Sequence, residues 1–151
     1  MRPALRVLSP GLLTTIQDRG RTGYQHLGVP VSGALDPVAL AAANALVNNR
    51  PDEAALEIFY RGPALVVESD SVRVAVAGGD AQIERLEDCN ADSGQRIETM
   101  QSVTLRRGEV MRIGGISSGA CAYLAFEGGF AIEPVLGSLS TDIRSRIGGI
   151  A

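Results

Sequence analysis

Residues 56–80 read LEIFYRGPALVVESDSVRVAVAGGD. Leu56, Ile58 and Tyr60 alternate with Glu57 and Phe59. Arg61-Gly62-Pro63 turns the chain, Leu65 to Glu68 resumes it, and Val72, Val74 and Val76 again take every second position. Successive side chains of an extended backbone point to opposite sides, so this period of two is that of strands with one buried face. The Gly78-Gly79-Asp80 that follows reads as a hairpin turn.

The same pattern extends outward. Leu5 and Val7 suit a short first strand, and the β-branched Thr14-Thr15-Ile16-Gln17 a second. Val103 to Leu105, then RRGE, then Val110 to Ile113 reads as a hairpin. Ala120 to Phe126 is the most apolar strand and belongs at the centre. Residues 83–101 are polar and weakly patterned, with a surface loop expected around DCNADSGQ at 88–95. The tail from Gly137 is rich in Ser, Thr and Gly and reads as loop. One helix and roughly seven to nine short strands make the chain mainly β, a barrel or sandwich.

The helix is announced by Asp36-Pro37. An aspartate accepts hydrogen bonds from the first free helical N–H groups, and proline at the first helical position gives up nothing. In the alanine-rich VALAAANALVNN, Leu40, Ala43 and Val47 share one face. Asn48, Asn49 and Pro51 stop it, so the helix is expected over about 37–48.

Ahead of that helix lies DRGRTGYQHLGVPVSGALDP (18–37), with four glycines and the chain's single histidine. It follows neither period, and a structureless connection of this length is often functional. Two readings stand. A loop capping a barrel needs glycine at each tight bend, and His26 then only satisfies a carbonyl. Alternatively, the glycines bring backbone N–H groups close to a ligand, with Tyr24, Gln25, His26, Ser32 and Asp36 as donors and acceptors. Asp36 is better explained as the helix cap than as a base.

Composition narrows the class. Of 151 residues, 45% are hydrophobic, which suits a globular domain with a real core. Acidic residues outnumber basic ones, 17 to 14, so a nucleic-acid partner is not expected. No apolar run is long enough to span a bilayer. The absence of an apolar signal core and two cysteines without CxxC spacing point to the cytoplasm, with free thiols and no metal site. GGD at 78–80 is no P-loop, because no GK[ST] follows.

Two blocks carry a family resemblance. GLLTTIQDRGRTGYQHLGVPVSGALDPVALAAANALVNN (11–49) and AYLAFEGGFAIEPVLGSLSTDIRSRIGG (122–149) resemble, in order, the biotin-dependent carboxyltransferase family. That family is also called allophanate hydrolase subunit 2. It includes the C subunit of bacterial 5-oxoprolinase and an antagonist of a kinase inhibitor. Its members are longer, so residues 1–151 are expected to be an N-terminal portion with the second barrel largely absent. The resemblance implies a cyclophilin-like β-barrel subdomain. The family's GSRST is GSLST here, with Leu139 in place of arginine.

The resemblance also implies chemistry at an N–C(=O) unit. One reading is a subunit of an ATP-dependent 5-oxoprolinase, opening a lactam with a partner of the allophanate hydrolase subunit 1 type. A second is a carboxyltransferase domain for urea or allophanate. A third is a non-catalytic antagonist. No MKM biotin-attachment tripeptide occurs, so this chain alone is expected to bind no cofactor. ATP or carboxybiotin would arrive through partner chains, and the chain is expected to be inactive alone. The residues expected to act are His26 and Gln25 as catalytic groups. Tyr24, Ser32 and Gly33 are expected to contact substrate, with Ser140 and Thr141 joining from the second block. A histidine titrating near neutrality can pass a proton. The rival explanation for Ser140 and Thr141 is turn chemistry.

Overall fold

The protein, described by a computed structural model over residues 4–150, is built on one curled eight-stranded antiparallel sheet with a single α-helix on it. The strands are β1 (Leu5–Ser9), β2 (Leu13–Gln17), β3 (Ala55–Phe59), β4 (Ala64–Val67), β5 (Ser71–Leu86), β6 (Gln95–Ile97), β7 (Ser102–Arg106) and β8 (Val110–Phe126). The helix α1 is Pro37–Leu46, and a 3-10 turn spans Gln25–Leu27.

The eight strands act as five bent ribbons. β1 and β2 run successively against β4 and β3, with Leu5 opposite Val67 and Leu13 opposite Phe59. β3 and β4 in turn run along β8, with Leu56 opposite Leu124 and Val66 opposite Val110. β8 lies against β5 over almost its full length, and β5 carries β6 and β7 on its far side. Each ribbon breaks or bulges near its middle. Glycines allow the breaks to stack: a side chain on Gly62 would collide with Ile113, and one on Gly119 would sit 2.8 Å from the Gly79 Cα.

This arrangement corrects three expectations. Gly78-Gly79-Asp80 is not a hairpin turn but an irregularity inside the 16-residue β5, where the register against β8 shifts. Glycine within a strand marks a bulge or a close backbone approach as readily as a turn. Likewise Val110–Ile113 and Ala120–Phe126 are one strand of 17 residues running through Gly114-Gly115. The RRGE turn exists, closed by the Glu109 N–H on the Arg106 carbonyl at 3.0 Å, yet its strands do not pair with each other. β7 pairs with β5, and β8 with β3, β4 and β5.

Alternation divides the core. On one face Val72, Val74, Val76 and Ile83 of β5 meet Ile58, Met111, Ile113, Leu124 and Phe126. The opposite face of the same strands carries Ala75, Ala77, Cys121, Tyr123 and Ala125, and α1 lies on it through Leu40, Ala43 and the Val47 that ends it. Those three residues are fully buried. Alanines on both surfaces let helix and sheet approach closely, where larger side chains would overpack. Asp36 caps α1 as expected, its Oδ1 accepting from Val38 N at 3.1 Å and Ala39 N at 3.0 Å. The helix ends at Leu46, with Val47 as its C-cap, two residues before the expected limit. Among the described residues no helix is long and apolar enough to cross a membrane.

Candidate functional site

The loop after β2 is anchored by one carboxylate. Asp18 Oδ1 accepts from Ser138 Oγ and Ser140 Oγ, both at 2.6 Å, and from Gly20 N at 2.7 Å. Its Oδ2 accepts from Leu139 N at 2.7 Å. Burial alone would raise this carboxyl, but the donors from Ser138, Ser140, Leu139 and Gly20 outweigh it and hold Asp18 below its ordinary value. Gln17 extends the anchor: its Nε2 donates to the Thr141 carbonyl at 3.0 Å and its Oε1 accepts from Gly33 N at 3.1 Å. Ser32 Oγ donates to Asp142 Oδ2 at 3.2 Å. Arg21, almost wholly buried, donates from Nε to the Val135 carbonyl at 3.3 Å and from Nη2 to the Ser140 carbonyl.

The structure therefore brings Ser32, Gly33, Ser140 and Thr141 into one brace between the 18–35 loop and the 135–147 tail. Ser140 is fully buried, and its hydroxyl is engaged by Asp18 both as donor and as acceptor. Thr141 donates its N–H to the Ile16 carbonyl at 2.9 Å. Tyr24, Gln25 and His26 are not in that brace. They form the 3-10 turn, opened by Tyr24 and closed at Gly28 in the left-handed region. Gln25 and His26 are exposed, Tyr24 is half-buried, and none of the three side chains makes a hydrogen bond among the described residues.

A second feature was not legible as a site in the sequence. A cleft of about 530 Å³ opens where α1 begins, walled by Leu35–Pro37, Gly78–Asp80 and Ser118–Cys121. Its wall follows from the irregularity of β5, because a side chain on Gly79 would lie 2.7 Å from the Ser118 carbonyl. Asp36, Asp80 and Ser118 line the cleft, so carboxylate acceptors and a hydroxyl stand beside it, a polar set suited to a small amide. Behind it stands a buried chain. Tyr123 OH donates to Glu57 Oε2 at 2.6 Å and accepts from Asp36 N at 2.9 Å. The Cys121 Sγ is 3.6 Å from the same hydroxyl. Glu57 is spared an unpaired burial by Tyr123 and by Leu35 N at 2.8 Å. Burial, then donation to Glu57, pushes the Tyr123 hydroxyl far above its ordinary value, and burial raises the Cys121 thiol. The signals nearest this cleft were GGD, read as a turn, and the strand expected from Ala120.

Comparison with known proteins supplies the context. The family described as carboxyltransferase domain, subdomain A and B, matches residues 27–151. Urea amidolyase of Saccharomyces cerevisiae is 37% identical over 147 residues, 97% of this chain and 8% of that protein. The C subunit of Escherichia coli 5-oxoprolinase is 36% identical over 148 residues, again 97% of this chain but 44% of the relative. The crystal structure of Kluyveromyces lactis urea carboxylase superposes with a TM-score of 0.88 at 35% identity, covering 99% of this chain and 13% of that one. The chain thus spans less than half the length of the curated relatives it matches. With its mainly β fold, single helix and near-complete alignment to these domains, the chain belongs to the carboxyltransferase domain family, subdomain A and B.

Proposed function

We propose that this chain works as part of an ATP-dependent 5-oxoprolinase, with a partner subunit of the allophanate hydrolase subunit 1 type. The observation that carries the proposal is the match to the C subunit of 5-oxoprolinase along 97% of the chain. In this reading the enzyme opens a lactam by adding water across its N–C(=O) bond, with ATP handled through the partner chain. The turn with the exposed Gln25 and His26 and the half-buried Tyr24 faces the substrate. His26 passes the proton and Gln25 orients the amide, while Ser32, Gly33, Ser140 and Thr141 line or brace the same loop. The acceptor-rich cleft at the start of α1 suits the lactam N–H.

A second reading is a carboxyltransferase domain that moves a carboxyl group from carboxybiotin on another chain to urea. The equally close match to urea amidolyase and the superposition on urea carboxylase favour it.

Reconstitution separates the two. The chain is mixed with 5-oxoprolinase partner subunits and assayed for ATP-dependent conversion of 5-oxoproline to glutamate. A parallel mixture with a biotin carboxylase and its biotinylated carrier is assayed for urea carboxylation. Turnover in the first mixture alone supports the first reading, turnover in the second alone supports the other, and silence in both overturns both.

A further inference from the structure

A pocket of about 360 Å³ lies over the second half of β5, and three arginines line it: Arg61, Arg96 and Arg112. Their convergence follows from register. Glu84 of β5 is directly opposite Arg96 of β6 on one side and Arg112 of β8 on the other, so the three share one row on one face. Directly opposed residues on neighbouring strands sit about 5 Å apart. Arg61 enters from the bend between β3 and β4, whose backbone bridges to Gly115. Gly114 keeps the space open: an added Cβ there would lie 3.3 Å from the Gln82 Cβ.

The charges in this pocket do not balance. Three guanidinium groups face one lining carboxylate, Glu84, in a chain whose net charge is -3. Arg96 reaches a rim partner, Glu98, at 2.9 Å. Arg112 donates from Nη2 to the Asp92 carbonyl at 3.0 Å. Its Nε is buried and ion-paired with Glu84 Oε2 at 3.3 Å. Arg61 has no ion pair or side-chain hydrogen bond among the described residues. Arg61 is thus the lining guanidinium that keeps its full hydrogen-bonding capacity among the described residues, and with Arg96 and Arg112 beside it the pocket carries more positive than negative charge.

We propose that this pocket binds a phosphate group, either the free ion or one carried on a small molecule. A single guanidinium fork satisfies a carboxylate, whereas guanidinium groups gathered from two strands and a bend match the several oxygens of a phosphate. The pocket shares no lining residue with the cleft at α1, so it stands independently of the proposed amide chemistry.

The test is calorimetric titration of the 151-residue chain with inorganic phosphate, glycerol phosphate and malonate at constant ionic strength. Saturable phosphate binding is expected, with malonate weaker by at least about tenfold. Glycerol phosphate binding as well as phosphate identifies an ester-borne group, and rejection of it identifies the free ion. Arg112→Gln and Arg61→Ser should each weaken phosphate by about tenfold or more. Arg61→Ser carries the decision if Arg112→Gln unfolds, because the Arg61 guanidinium makes no bond among the described residues. No saturable binding, malonate binding as tightly as phosphate, or full affinity in Arg61→Ser overturns the proposal.

Discussion

Asp18 and Ser140, 122 positions apart in sequence, hold each other in both directions: the Asp18 N–H donates to Ser140 Oγ at 3.0 Å, and that Oγ donates to Asp18 Oδ1 at 2.6 Å. Ser140→Ala removes both contacts and strips a half-buried carboxylate of a donor. We expect a loss of about 1–3 kcal/mol in unfolding free energy. Urea denaturation measures it, and an unchanged midpoint would show that the tie contributes nothing.

The same carboxylate sets an acid dependence. Asp18 is held below its ordinary 3.8 in the fold, so the unfolded chain takes up this proton at higher pH than the folded one. Its contribution is complete above the ordinary value and is lost as pH falls through the lowered folded value. The stability gap between the natural chain and Asp18→Asn should be full at neutrality and shrink below about pH 4. Paired urea titrations at neutral and acid pH test this; a gap that widens in acid contradicts it.

The two thiols should react differently. Cys89 is exposed, and Cys121 is buried with its thiol raised by that burial. The thiolate is the reactive form, so iodoacetamide should label Cys89 in the folded chain and Cys121 only after denaturation. Mass spectrometry of peptides reads the order directly. Equal labelling rates would mean that the wall behind the α1 cleft opens freely.

His26→Ala separates catalysis from folding. The ring is exposed and unbonded among the described residues, so thermal unfolding should move by under about 1 kcal/mol. In the reconstituted complex the same change should lower turnover by at least about tenfold. Full turnover removes His26 from the reaction; matched losses of fold and activity make it a brace.

The free edge of the sheet should drive association. Among the described residues β2 pairs only with β3 and β1 only with β4, and this edge exposes Val7, Leu8, Leu12 and Leu13. Leu12 is 71% exposed. Unpaired strands with apolar side chains seek partners. Sedimentation should find dimers or larger species, reduced by Leu12→Lys. A clean monomer at micromolar concentration counts against this.

Local rules made much of this legible. The helix start at Asp36-Pro37 is chemistry of adjacent residues, and the valines of β5 declare their face by alternation. What escaped was long-range. Gly78-Gly79 and Gly114-Gly115 have the composition of turns, and only the strands across from them decide that the chain continues as one bent strand. The loop brace shows the same limit. Ser140 and Thr141 were visible as polar residues in a tail, but nothing nearby in sequence announces that Asp18 receives that tail. The cleft at α1 and the arginine row are likewise products of register, which a single chain's pattern does not print.

The stacked bends carry a consequence for cooperativity. β5 and β8 cross the line of bending as unbroken chains, so the two halves of the sheet share covalent strands instead of meeting at an interface. Such a sheet has a crease but no seam. One half has no boundary along which to peel away, and amides on both sides of the crease should exchange with solvent through a single common opening.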